Sequence, residues 1–220
     1  MASAHRRIAR TIKRIIWFLP ARRFRKNTTR AIAQIEDILP TIESQWLKAK
    51  ELGLAKYSTL YNSMSFLLLL HYDFAVLAYN HATEVDERKQ NLYARQLCLL
   101  IHEALEDVPT VFGSSFRKAA SSLPNGDSYI SAISAVLKTL SDIRKANRGP
   151  IAEIRNFVVA HRDHDALKQL EIMRKIDNLW LMSVSSQFTD FLGKMANALT
   201  PLLLGMGDKA TIFKHVLGRA

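Results

Sequence analysis

Residues 58–81 read S-T-L-Y-N-S-M-S-F-L-L-L-L-H-Y-D-F-A-V-L-A-Y-N-H, and this stretch decides the fold. Met64, the run Phe66 to Leu70, Phe74, Val76 and Leu77 leave a helix with almost no polar face. Such a helix is either the buried centre of a bundle or a membrane span. A span needs ~20 apolar residues without charge, whereas His71 and Asp73 interrupt this run too early. The reading is a central, buried helix capped by Ser58 and reaching about His81.

Its neighbours follow the helical period. Thr28 to Leu52 carries Ile32, Ile35, Ile38 and Leu39 inward, with a kink or break expected at Pro40 and an end at Gly53. Asp86 to Val111 places Tyr93, Leu97, Leu100, Ile101 and Ala104 at helical spacing. Gly113 to Asp127 reads as a surface connection rich in breakers, with room for one helical turn. Ile130, Ile133, Leu137, Leu140 and Ile143 mark another amphipathic helix, stopped by Gly149 before a new one opens with Pro150 in its first turn. The last long helix runs from about Leu170 to Leu199, with Leu181, Val184, Phe188, Phe191 and Met195 stepping by three and four. Pro201, Gly205 and Gly207 end it, and Asp208 to Leu217 forms a short terminal helix.

No long stretch alternates with period two, and the 220 residues contain only 8 glycines and 6 prolines. The expected fold is all-α, a mostly antiparallel bundle of about five to seven helices. Three parts are expected: a basic amphipathic arm or helix at 1–27, the bundle at 28–204, and a tail with a short helix at 205–220.

Charge divides the chain unevenly. The net charge is +11, yet residues 1–30 hold ten basic residues and no acid, leaving 21 basic against 20 acidic residues elsewhere. The arm residues Arg6, Arg7, Arg10, Lys13, Arg14, Arg22, Arg23, Arg25 and Lys26 are candidate contacts to nucleic acid. Ile8, Ile12, Ile15, Ile16 and Leu19 fall roughly on one face, with Trp17 and Phe18 beside it. The same segment therefore suits an anionic membrane surface, or a terminal helix docked on the body with its basic side solvated. A secretory signal is not expected, because the apolar run Ile15 to Leu19 is short and Pro20 interrupts it. An acid-free, Arg-rich start leaves an organelle transit peptide open.

Cys98 is the single cysteine and lies in the apolar run Leu97 to Ile101, so a disulfide framework is excluded and the thiol reads as core filler. A reducing, cytoplasmic setting fits. The sequence contains no Gly-rich phosphate loop, G-x-S-x-G, H-E-x-x-H or C-x-x-C, which removes the commonest enzyme classes.

Chemistry concentrates in Ile154 to Asp163, I-R-N-F-V-V-A-H-R-D. His161 can take or give a proton near neutral pH, and Arg155 can hold a phosphate through a rigid fork of donors. On a helix, Ile151, Ile154, Phe157, Val158 and His161 share one stripe, and Arg155 lies about 120° from His161. The imidazole is thus expected toward the packed side and the guanidinium at its edge, at a seam between helices or subunits.

Arg155, Asn156, four further residues and His161 resemble the R-x(4-6)-H signature of the HEPN superfamily, all-helical domains found among RNases, toxins and abortive-infection proteins. That resemblance implies metal-independent RNA cleavage: attack by a ribose 2′-OH on the adjacent phosphate, His161 as general base or acid, Arg155 on the phosphate, and Asn156 orienting His161 or donating to the phosphate. It also implies a homodimer pairing two copies of the motif, RNA as partner, no cofactor, and an antitoxin or neighbouring protein in a defence setting. Arg162 would add a further nucleic-acid contact. A catalytically silent interaction module, with its arm on RNA or a membrane surface, is the alternative. In that case Arg155 pairs with Glu153 or an acid on a neighbouring helix, and His161 pairs with Asp163 or Asp165. A metal at His161, Asp163, His164 and Asp165 is disfavoured, because all four crowd one helix end and no second cluster completes the set.

Overall fold

The structure, a computed structural model, describes residues 2–156, 167, 171 and 174–207; among residues 1–26, side chains are described only at Phe24 and Lys26. These residues form an all-helical bundle: α1 Ala2–Glu51, α2 Ala55–Thr83, α3 Glu87–Val111, α4 Ser114–Ser121, α5 Gly126–Ile154 and α6 Asn178–Gly207.

The period of apolar side chains explains the first pairing. Ile35, Ile42 and Ala49 are buried at seven-residue intervals, with half-buried Ile32, Leu39 and Trp46 three residues before each, which is a coiled-coil seam. α2 returns along this seam after a tight link at Gly53, whose φ of +66° suits glycine. The amides of Gly53 and Leu54 bond the carbonyls of Lys50 (3.1 Å) and Ala49 (2.8 Å), closing the end of α1. The Tyr72 hydroxyl donates to Glu36 Oε1 at 3.2 Å and sets the antiparallel register. Ile38, expected inside, is 42% exposed because the seam passes it by.

α2 is the centre, as its composition requires. It packs against α1, α3, α4 and α6, and buries Tyr57, Leu60, Met64, Leu67, Leu70 and Phe74. Among the described residues α2 alone is long and apolar enough to cross a membrane, so His71 and Asp73 do not disqualify it on composition. Packing accounts for its apolarity instead, although Leu69 in the middle of the run is 52% exposed. Burial pushes the pKa of His71 below the usual histidine value, so α2 carries that ring uncharged at neutral pH. α2 begins at Ala55 with no side-chain cap, which corrects the expected cap at Ser58. α3 is capped by Asp86, which accepts from the amides of Arg88 (3.1 Å) and Lys89 (3.0 Å).

The connection expected at 113–127 is present but largely helical, whereas three expected breaks, at Gly149–Pro150, at Pro201 and at Pro40, do not occur. The segment 113–127 folds an eight-residue helix, α4, burying Phe116, Ala119 and Ala120, and Phe116 packs edge-on to Phe112 at 4.9 Å. α5 runs straight through Gly149 and Pro150, because Ile143, Asn147, Ile151 and Ile154 hold one buried stripe across them. Proline costs an interior helix one hydrogen bond; here its ring is on the exposed side. α6 likewise continues past Pro201 to Gly207, held by fully buried Leu202 and Met206. α1 also passes Pro40, which is exposed, and crosses residue 27 without interruption. α6 begins at Asn178 rather than near Leu170, with Asp177 accepting from the Leu179 amide at 2.8 Å.

Asn125, at φ 62°, turns the chain tightly from α4 into α5. A Cβ on Gly126 would sit 2.3 Å from the Ala120 carbonyl oxygen and 2.7 Å from Ser121 Cα. Both are backbone atoms and cannot swing aside. Gly126→Ala is therefore expected to destabilise by about 2–3 kcal/mol, the upper part of the overpacking range, read as a lower denaturation midpoint in urea.

Cys98 is fully buried, and burial pushes its thiol up to about 12. The expected result is no reaction with a disulfide reagent in the native state at pH 8, and one equivalent after unfolding in guanidinium. Rapid labelling of the folded protein would contradict a sealed thiol.

Candidate functional site

α3 and α5 lie side by side, and the site grows from their shared edge. Ile151 and Ile154 are buried, fixing the rotation of the last turns of α5 and leaving Arg155 at the margin of the packed face. There the backbone passes into a wider π-type turn at Arg155 and Asn156, a geometry often found at functional positions. The Arg155 amide is shared between the carbonyls of Ile151 and Ala152.

The guanidinium is held on two sides. Its Nη1 donates to Asn156 Oδ1 at 3.2 Å, and its Nη2 stands 3.7 Å from Glu103 Oε1 on α3. Its Nε is sealed from solvent and has no hydrogen-bond partner among the described residues. The Arg155 side chain remains 32% exposed and Glu103 47%. An ion pair this open contributes at most about 1 kcal/mol. About three turns further toward the N-terminus of α5, the same two helices are clamped by Arg144, whose Nη2 reaches both oxygens of Glu106 at 2.6 and 2.8 Å.

Beneath this edge α5 is anchored to α6. Asn147 is buried, donates to the Ile143 carbonyl at 3.0 Å and accepts from Trp180 Nε1 at 3.1 Å. A second polar tie joins the ends of α2, α3 and α6. His81 Nε2 and Asn178 Oδ1 are 3.1 Å apart, and Gln90 Nε2 donates to the His81 carbonyl at 3.2 Å.

Of the motif residues, Arg155 and Asn156 are thus brought together on α5. Phe157, Val158, His161 and Arg162 lie outside the described residues, as do His164 and the expected terminal helix Asp208–Leu217. Of the candidate basic contacts in the arm, only the Lys26 side chain is described, and it is exposed. The residue that sequence reasoning did not single out at this site is Glu103. Only the pairing of α3 with α5 brings it to Arg155; the neighbouring dipeptide His102-Glu103 was its one local signal.

Compared with protein-family models, with curated proteins and with solved structures, the chain matches none.

Proposed function

We propose that this chain is a HEPN-like, metal-independent endoribonuclease or RNA-binding domain, with Arg155, Asn156 and His161 as its site. The observation that carries the reading is the placement of Arg155: held by Asn156 and Glu103 at the open edge of the α3–α5 seam, with its side chain partly exposed. A phosphate oxygen is the acceptor that such a fork is built to receive.

In this reading His161 removes the proton from a ribose 2′-OH, the 2′-oxygen attacks the adjacent phosphorus, and the P–O5′ bond breaks. The products are a 2′,3′-cyclic phosphate and a 5′-hydroxyl, the latter taking its proton from an acid. A second copy of the motif across a homodimer two-fold supplies that acid as its own His161. Arg155 offsets the charge growing on the phosphate oxygens.

The test uses the full chain in EDTA against a mixed RNA pool, beside His161→Ala. Cyclic-phosphate products that vanish in the variant support the reading; cleavage that survives it sinks the assignment. The Glu103 pair favours a second reading, a silent interaction module in which Arg155 fastens α5 to α3. Salt-sensitive RNA binding with no cleavage by the wild-type protein would select that module.

A further inference from the structure

α1 is much longer than the helix it packs on. Its 50 residues amount to about 75 Å at 1.5 Å per residue, against about 43 Å for the 29 residues of α2. α1 packs along α2 and makes no more than incidental contact with any other described helix. With the register set at Tyr72 and Glu36, the end of α2 at Thr83 comes level with residues 24–25 of α1. Phe24, on the seam side at that level, is already 37% exposed. The part of α1 before Phe24 therefore has no length of α2 to pair with.

The apolar face of that part is also on the wrong side to continue the seam. Ile8, Ile12, Ile15 and Leu19 are spaced 4, 3 and 4 apart, and α1 is a single helix through Pro20. At 100° per residue, Leu19 lies about 160° round from Ile35 and about 200° from Leu39. The two apolar stripes thus fall on opposite faces of one helix. Arg6, Arg7, Arg10, Lys13 and Arg14 fall on the side opposite the N-terminal stripe.

We propose that residues 2–26 form an interfacial anchor that lies on an anionic phospholipid surface, with the isoleucine stripe in the acyl boundary and the flanking cations among the headgroup phosphates. The charge fits, since residues 1–30 carry ten cations and no acid. The stripe decides between polyanions. An RNA-binding arm needs only its cations and some stacking side chains, whereas five aliphatic residues on the face opposite the cations supply the acyl-facing side of an interfacial helix. This anchor is independent of Arg155 and would stand if the nuclease reading fell.

The test is co-sedimentation of the full chain with phosphatidylcholine vesicles, with and without about one third phosphatidylglycerol, in parallel with binding to a mixed RNA pool. At least about tenfold tighter partition onto the anionic vesicles is expected. Ile12→Gln with Ile15→Gln, which leaves the charge untouched, and Arg10→Gln with Arg14→Gln should each reduce partition by about tenfold. Circular dichroism checks that the bundle of each variant is intact. Vesicle binding indifferent to the isoleucine pair, or RNA binding that depends on the arm with no vesicle partition, would overturn the proposal.

Discussion

Replacing Phe188 by alanine is expected to lower the stability of the bundle by about 3–5 kcal/mol, the range for truncating a fully buried aromatic. Phe188 is 0% exposed on α6, its ring 4.9 Å from that of Phe74 on α2 and 5.6 Å from that of Phe191. Tilted ring pairs of this kind add to the area term, and the cavity would open where the central helix meets α6. Neighbouring side chains have little room to collapse into it, because Leu181, Val184, Leu192 and Met195 are themselves sealed. Urea denaturation should show a lower midpoint with an unchanged slope. A loss below about 1 kcal/mol would mean that α6 does not pack on α2 as described.

On the proposed nuclease reading, replacing Arg155 by alanine is expected to lower RNA cleavage by about 10²–10³-fold, the cost of removing one preorganised charge-stabilising group. The loss should fall on kcat more than on KM, since the charge it meets develops during reaction. Arg155→Lys should recover little, because a point charge on a flexible stem cannot reproduce the fork held between Asn156 and Glu103. Glu103→Gln separates this role from a structural one. It removes an ion pair worth at most about 1 kcal/mol and leaves the guanidinium held by Asn156, so cleavage should stay near that of the wild type while Arg155→Ala shows the full loss. Equal stability losses in both variants with unaltered cleavage would show Arg155 to be a fastening residue only.

Legibility in the sequence followed burial. The central helix, the inward stripe of α6 and the start of α3 near Asp86 were readable because each depends on spacing within a few turns. The errors fell on local breakers. Gly149, Pro150 and Pro201 carry strong stop signals, yet the helices continue through them. In each case apolar residues on both sides lie on one stripe that another helix covers, and burying them outweighs one missing hydrogen bond. Ile38 and Leu69 erred the other way: apolar character placed them inside, but a seam of limited width left both outside. At the site, the sequence marked Arg155 and Asn156 but could not mark Glu103, which is 52 positions away and arrives only through the packing of α3 on α5.

By itself the sequence determined that this chain is an all-helical bundle, that α2 occupies its centre, and that charge is concentrated in the first 30 residues. Those are properties of composition and period, which act along the chain. The tertiary structure alone decided which helices run unbroken, which edge of α5 meets Glu103, and that α1 outruns its partner. The physical reason is that burial is settled between elements: a side chain's spacing assigns it a face, and only the neighbouring helix determines whether that face is covered.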